Sequence, residues 1–203
     1  MGAAGERGLQ AVRGAARHVP NLLGFARILA APLVVWLLLG GRLAEAFWIF
    51  LLAGLSDALD GEIARRLDVV TRFGAVLDPS ADKLLIGSGY LAAAGAGLLP
   101  WWLAWLVVGR DIAILLIAGA THVMRPDIVP MPLRIGKIST GVQVAACSAA
   151  LATGAYAWPP AGGRDALLAL AAVLTVLSGI AYALDWTQAL RRKSVRRQDS
   201  RRQ

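Results

Sequence analysis

Cysteine, histidine and charge are all scarce in this sequence, and each shortage removes a class of protein. Cys147 is the only cysteine in 203 residues and lies in an apolar run, which excludes a disulfide scaffold. His18 and His122 show no metal-ligand spacing and read as surface residues. No nucleophile–base triad, zinc site or phosphate-binding P-loop is present. Charged residues make up only 17% and hydrophobic ones 57%, whereas a soluble domain carries about 25% and about 45–50%. Such a chain buries enough apolar surface to offset its ordering entropy, so intrinsic disorder is excluded as well. Period-2 alternation over segments of about 10 residues is missing, which argues against a β-barrel.

What the sequence does have is a set of long apolar runs. A membrane-crossing helix needs about 20 mostly apolar residues to span a hydrocarbon core of about 30 Å. Six runs fit, near Asn21–Leu39, Leu43–Leu59, Asp78–Leu99, Trp101–Val123, Ile135–Ala157 and Ala166–Leu190. Gly and Ala alternate with Leu, Val and Ile, as in helices that pack closely in lipid through small residues. The expected fold is an all-α integral membrane bundle of six transmembrane helices, residues 21–190. Residues 1–20 lack the continuous apolar core of a signal peptide. Leu9, Val12, Ala16 and Val19 recur there at helical spacing beside Arg13 and Arg17, which predicts a short interfacial helix; a disordered extension is the alternative.

Loop charge sets the orientation. With six spans, both termini share a side with the loops around 59–77 and 122–134. That side carries Arg7, Arg13, Arg17, Arg65, Arg66, Arg72, Arg125 and Arg134, whereas the opposite loops hold only Arg42 and Arg164. The positive-inside rule makes that side cytoplasmic. Trp36, Trp48, Trp101, Trp102 and Trp158 fall near the other ends, where an aromatic belt belongs. The net charge of +8 permits nucleic acid or an anionic membrane as partner, and the apolar content favours the membrane. Residues 191–203, a basic cytoplasmic tail, supply +6 of that charge. No nucleic-acid partner is expected.

Four carboxylates stand where the spans should be apolar. Asp57 and Asp60 end the second run, and Asp78 and Asp82 open the third. Separations of three and four residues put each pair on one face of a helix. Ionisable groups in spans normally face a partner or a water-filled cavity. Four together repel unless protonated or bridged by a cation. Hard divalent ions prefer oxygen ligands, and two of them about 3.5–4 Å apart form a phosphoryl-transfer clamp. The plainer alternative is that the aspartates pair with Arg65, Arg66, Arg72 and Lys83 at the membrane boundary.

The full pattern is Asp57-x-x-Asp60-Gly61-x-x-Ala64-Arg65, eight residues, then Gly74-x-x-x-Asp78-x-x-x-Asp82. It resembles the signature of the CDP-alcohol phosphatidyltransferases, with every fixed position present over 26 residues. The similarity extends to Pro20-Asn21-Leu22-Leu23 with Arg27, to Gly109-Arg110-Asp111 and to Gly136-Lys137-Ile138-Ser139-Thr140. It implies a homodimer of six-helix protomers, each with a polar cavity open to the cytoplasm; a bacterial inner membrane is the expected location. A CDP-linked lipid, typically CDP-diacylglycerol, would give its phosphatidyl group to an alcohol and release CMP.

The resemblance also implies residue roles. Asp57, Asp60, Asp78 and Asp82 would hold two Mg²⁺ or Mn²⁺ ions, with Asp82 as general base. Gly61, Ala64, Arg65 and Gly74 would join Asp57, Asp60 and Asp78 in binding the CDP-lipid. The two glycines would let backbone approach the nucleotide, and Arg65 would reach the diphosphate with its planar donor fork. Glu62 departs from the apolar or aromatic residue common at that position in relatives. Arg27, Arg110 and Lys137, with Arg134 adjoining, come from different helices near their cytoplasmic ends and suit a phosphorylated acceptor. Snorkelling to lipid headgroups is the alternative for each. Two acceptors compete: glycerol 3-phosphate, giving phosphatidylglycerophosphate, and phosphatidylglycerol, giving cardiolipin. Arg110-Asp111 leans toward the second, because glycerophosphate enzymes more often carry Arg-Glu; the compact stretch from Arg110 to Lys137 leans toward the first. A membrane cation transporter is the rival of another class, since acidic residues also mark ion paths. That rival would spread its carboxylates through the bilayer depth.

Overall fold

The structure, a computed structural model, describes the backbone of residues 19–67, 74–124 and 134–199, and the side chains of 24–56, 83–121 and 134–188. The described residues form six helices and no strand: α1 (Val19–Leu39), α2 (Leu43–Leu67), α3 (Gly74–Gly95), α4 (Trp101–Met124), α5 (Arg134–Tyr156) and α6 (Ala161–Asp199). Of the expected interfacial segment 1–20, residues 1–18 lie outside them and residues 19–20 begin α1.

Helix ends follow local chemistry. Gly41 takes the left-handed conformation (φ 71°), and the Arg42 and Gly41 N–H groups return to the carbonyls of Leu37 and Leu38 at 2.9 and 3.1 Å. Gly97 (φ 75°) closes α3 the same way, with Leu98 and Gly97 donating to Ala93 and Ala94. A glycine without Cβ makes this reversal cheap, and the orphan carbonyls of the last turn are satisfied. Both reversals are short, so α1–α2 and α3–α4 are helical hairpins. Two helices run beyond the apolar segments expected for them. α2 continues past Leu59 to Leu67, and α6 continues past Leu190 through the basic segment to Asp199. Arg, Lys and Gln are good helix formers, so loss of apolar content does not end a helix.

α1 lies chiefly along α3, and α6 along α5; α2 bridges α1 and α5, and α4 touches α3 and α6. α5 is the central helix, buried on all sides from Ala146 to Leu151 by residues that are mostly Ala, Ser and Cys. Small side chains let neighbouring backbones close in. Polar groups cross the interior: Tyr90 Oη donates to the Gln143 carbonyl (2.9 Å), and Gln143 Nε2 donates to Thr175 Oγ1 (2.7 Å), joining α3, α5 and α6.

The bundle is apolar outside as well as inside. Phe25, Leu29, Leu52, Leu116, Val173, Ile180 and Leu184 are all exposed, while Arg27, Asp111, Ser139, Gln143, Thr175 and Ser178 are buried. Water would penalise that exterior, whereas a hydrocarbon solvent favours it. Among the described residues, Trp101–Thr121, Arg134–Tyr156 and Ala161–Gln188 are long and apolar enough to cross a membrane. Gly24–Leu39 and Leu43–Ser56 are shorter apolar helical segments. α3 opens with Asp78, Asp82 and Lys83, which dilute its apolar stretch.

The two ends of the bundle differ. At one, Phe47 packs edge-on against Trp48 and Tyr156, with ring centres 5.0 and 5.8 Å away, and Trp48 Nε1 donates to Tyr156 Oη at 2.9 Å. Arg42 stands over Trp36 and pairs with Glu45. The opposite end carries the aspartate-bearing turns and a different set of charges.

Candidate active site

α2 and α3 are continuous helix through every position of the aspartate pattern. Asp57, Asp60, Gly61, Ala64 and Arg65 fall on the last part of α2, and Gly74, Asp78 and Asp82 on the first part of α3. Helical register therefore puts Asp57 with Asp60, and Asp78 with Asp82, one turn apart on their elements. The two helices touch each other. The side chains of these eight residues lie outside those described. Among the residues whose side chains are described, no group of three or more His, Cys, Asp or Glu could hold a metal. The donor set on α2 and α3 is all carboxylate oxygen, on two touching helices, and it fits a hard divalent cation.

Beside the aspartate pattern lies a cluster of charge. Lys83, one residue after Asp82, reaches from α3 to α4, where its Nζ stands 3.1 Å from Asp111 Oδ1. The same oxygen accepts from Arg110 Nη1 at 2.6 Å. Among the described side chains, one carboxylate thus serves two cations and leaves one positive charge over in a mostly buried place. The Arg110 and Asp111 side chains are only 8% and 12% exposed. Interior screening is weak, so such a charge attracts anions more strongly than it would in water. Lys83 is thereby engaged on α4, away from its own helix, and Asp111 is held by nitrogen donors.

The expected acceptor residues divide into two kinds. Arg27 is buried in the first half of α1, and the Arg110 side chain is buried near the middle of α4, not at its cytoplasmic end as expected. Arg134 and Lys137 are exposed on the first turns of α5. Arg110 is neutralised locally by Asp111, as adjacency in sequence allows, and is also held from α6, where Ser178 Oγ accepts from Nη2 and the Tyr182 ring centre lies 5.5 Å from the guanidinium carbon. Gln143, one turn beyond Ser139, bridges helices through Thr175. The side chains of His18 and His122 fall outside those described.

Lys83, Ser178 and Tyr182 were not singled out as site residues by motif. A signal for the last two exists in the periodicity of α6: Leu168, Ala171, Thr175 and Ser178 are buried and Tyr182 is half-buried, at alternating steps of three and four. That stripe turns from apolar to polar toward the charged end.

Comparison with known proteins places these features in a family. Residues 17–180 match the family model of the CDP-alcohol phosphatidyltransferases. A probable phosphatidylglycerophosphate synthase of Mycobacterium tuberculosis is 33% identical over 187 residues, covering 87% of this chain and 85% of the relative. A probable CMP-forming cardiolipin synthase of Drosophila melanogaster is 30% identical over 186 residues, covering 82% of this chain and 57% of that longer protein. The CDP-diacylglycerol–glycerol-3-phosphate 3-phosphatidyltransferase of Bacillus subtilis is 32% identical over 154 residues, covering 66% and 76%.

Proposed function

The chain belongs to the CDP-alcohol phosphatidyltransferase family, and on that premise we propose that it transfers the phosphatidyl group of CDP-diacylglycerol to glycerol 3-phosphate. The products are phosphatidylglycerophosphate and CMP. The observation that carries this reading is the family match across residues 17–180, which encloses all four aspartates on α2 and α3. The second reading is cardiolipin formation from phosphatidylglycerol, favoured by Asp111 beside Arg110 and by the similarity to the Drosophila protein. Family membership sets the cation-transporter alternative aside.

The chemical problem is attack by a neutral hydroxyl on an anionic diphosphate. Asp57, Asp60, Asp78 and Asp82 would hold two Mg²⁺ or Mn²⁺ ions, which supply positive charge to offset the diphosphate and the departing CMP. Asp82 takes the proton of the acceptor hydroxyl. The acceptor oxygen forms a bond to the lipid-side phosphorus, the pyrophosphate bond breaks, and CMP carries away the electron pair. Arg65 steadies the diphosphate, and Gly61, Ala64 and Gly74 keep the nucleotide surface shallow. Arg27, Arg110, Arg134 and Lys137 receive the acceptor phosphate. Arg110 meets it from a preformed setting, which lowers the ordering cost of binding. All six helices cross the membrane with both termini and the site cytoplasmic, as the loop arginines require, and the protomers pair as a homodimer.

The deciding experiment offers purified protein CDP-diacylglycerol, Mg²⁺ or Mn²⁺, and a panel of acceptors, and follows CMP release. Phosphatidylglycerophosphate is the expected product. Cardiolipin formed from phosphatidylglycerol alone reverses the order of the two acceptors. Folded protein that releases no CMP with any acceptor overturns the transferase reading.

A further inference from the structure

α6 lies beyond every motif of the signature, and Tyr182 lies beyond the matched family region, yet α6 builds the seat for Arg110. Arg110 Nη2 donates to Ser178 Oγ, and the guanidinium carbon lies 5.5 Å from the centre of the Tyr182 ring. At Gly179, between them, an added Cβ would stand 3.8 Å from Arg110 Cγ, so the arginine stem lies against this backbone. Tyr182 has its own requirement. A Cβ on Gly136 would come within 2.8 Å of the Tyr182 hydroxyl and 3.1 Å of a ring carbon. Only glycine at 136, next to Lys137, leaves the ring its place beside Arg110.

The seat opposes what an arginine of a membrane helix does by default, which is to extend toward the headgroups. Asp111, Ser178 and the Tyr182 ring hold the guanidinium on three sides, inside the bundle. Its buried Nε has no hydrogen-bond partner among the described residues. A buried donor left without an acceptor is costly, and a planar guanidinium fork is suited to an anionic oxygen ligand.

We propose that Ser178 and Tyr182 are positioning residues for acceptor recognition: they hold the Arg110 guanidinium in the orientation from which it meets the acceptor phosphate, and Gly136 leaves Tyr182 room to do so. The inference rests on the reading of Arg110 as an acceptor ligand.

The test is steady-state kinetics of Tyr182→Leu, Tyr182→Phe, Ser178→Ala and Gly136→Ala in the full chain, with folding followed by thermal unfolding in detergent. Tyr182→Leu raises the acceptor KM about tenfold, the scale of a desolvated cation–π contact, and leaves kcat and the CDP-diacylglycerol KM within about twofold. Tyr182→Phe, which keeps the ring, restores the acceptor KM. Gly136→Ala reproduces the rise but adds nothing when combined with Tyr182→Leu, because the ring it displaces is already gone. Should Tyr182→Leu not fold, Ser178→Ala decides, with an acceptor KM raised about threefold for one lost hydrogen bond. An unchanged acceptor KM in folded variants, or equal rises in both substrates' KM, overturns the positioning role while the transferase reading stands. Wild-type protein that releases no CMP overturns both.

Discussion

Asp111 shows how one side chain organises the charged cluster inside the bundle. Its Oδ1 takes Lys83 and Arg110 together, so Asp111→Asn removes the counter-charge of both. Breaking a largely buried ion pair from one side costs ~3 kcal/mol, and thermal unfolding in detergent is expected to show a clear fall in midpoint. Adding Lys83→Met to that variant should recover part of the loss, since one uncompensated cation is removed. At Asp82 the expected effect is on rate. Asp82→Asn lowers turnover at least ~100-fold, the scale of general-base catalysis, while CDP-diacylglycerol still binds; near-wild-type turnover would remove the base assignment. Chelation of divalent cations is expected to stop CMP release, and added Mg²⁺ or Mn²⁺ to restore it. The four aspartates were legible in the sequence because carboxylates inside apolar runs are conspicuous. Ser178 and Tyr182 were not, because serine and tyrosine are ordinary residues of a membrane helix until something packs against them.

Single helices were read well where composition changes sharply. Gly41 and Gly97 end α1 and α3 because glycine accepts the left-handed turn, and such punctuation is visible in a sequence. α2 and α6 run on past the expected spans because hydropathy marks where lipid ends, whereas helix propensity decides where the helix ends. Packing between helices depends on small residues and a few polar contacts. Gln143 on α5 and Thr175 on α6 share a buried hydrogen bond of 2.7 Å. A double-mutant cycle with Gln143→Leu and Thr175→Val is expected to give a coupling of about 1 kcal/mol, within the range for hydrogen bonds between membrane helices. A coupling near zero would mean that the pair contributes only shape.

At the scale of the whole molecule, an apolar exterior surrounds an interior that becomes polar toward one end. The topology proposed for it is directly testable: a reporter fused after Gln203 should lie in the cytoplasm, and one inserted in the turn at 40–42 should lie on the opposite side. Cys147 is fully buried on α5, so the wild-type chain should resist maleimide in its folded state. Single cysteines added at those sites can then be mapped without replacing it. The sequence by itself determined the membrane class, the family and the four aspartates. Those depend on local composition and on spacing along single helices, which the chain carries without folding. The tertiary structure alone decided that Lys83 crosses to Asp111, that Arg110 is seated by Ser178 and Tyr182, and that Gly136 makes room for that ring. Residues as far apart as 83 and 111, or 110 and 178, meet only because α3, α4, α5 and α6 pack into one bundle, and no periodicity within a helix records which neighbour its face will touch.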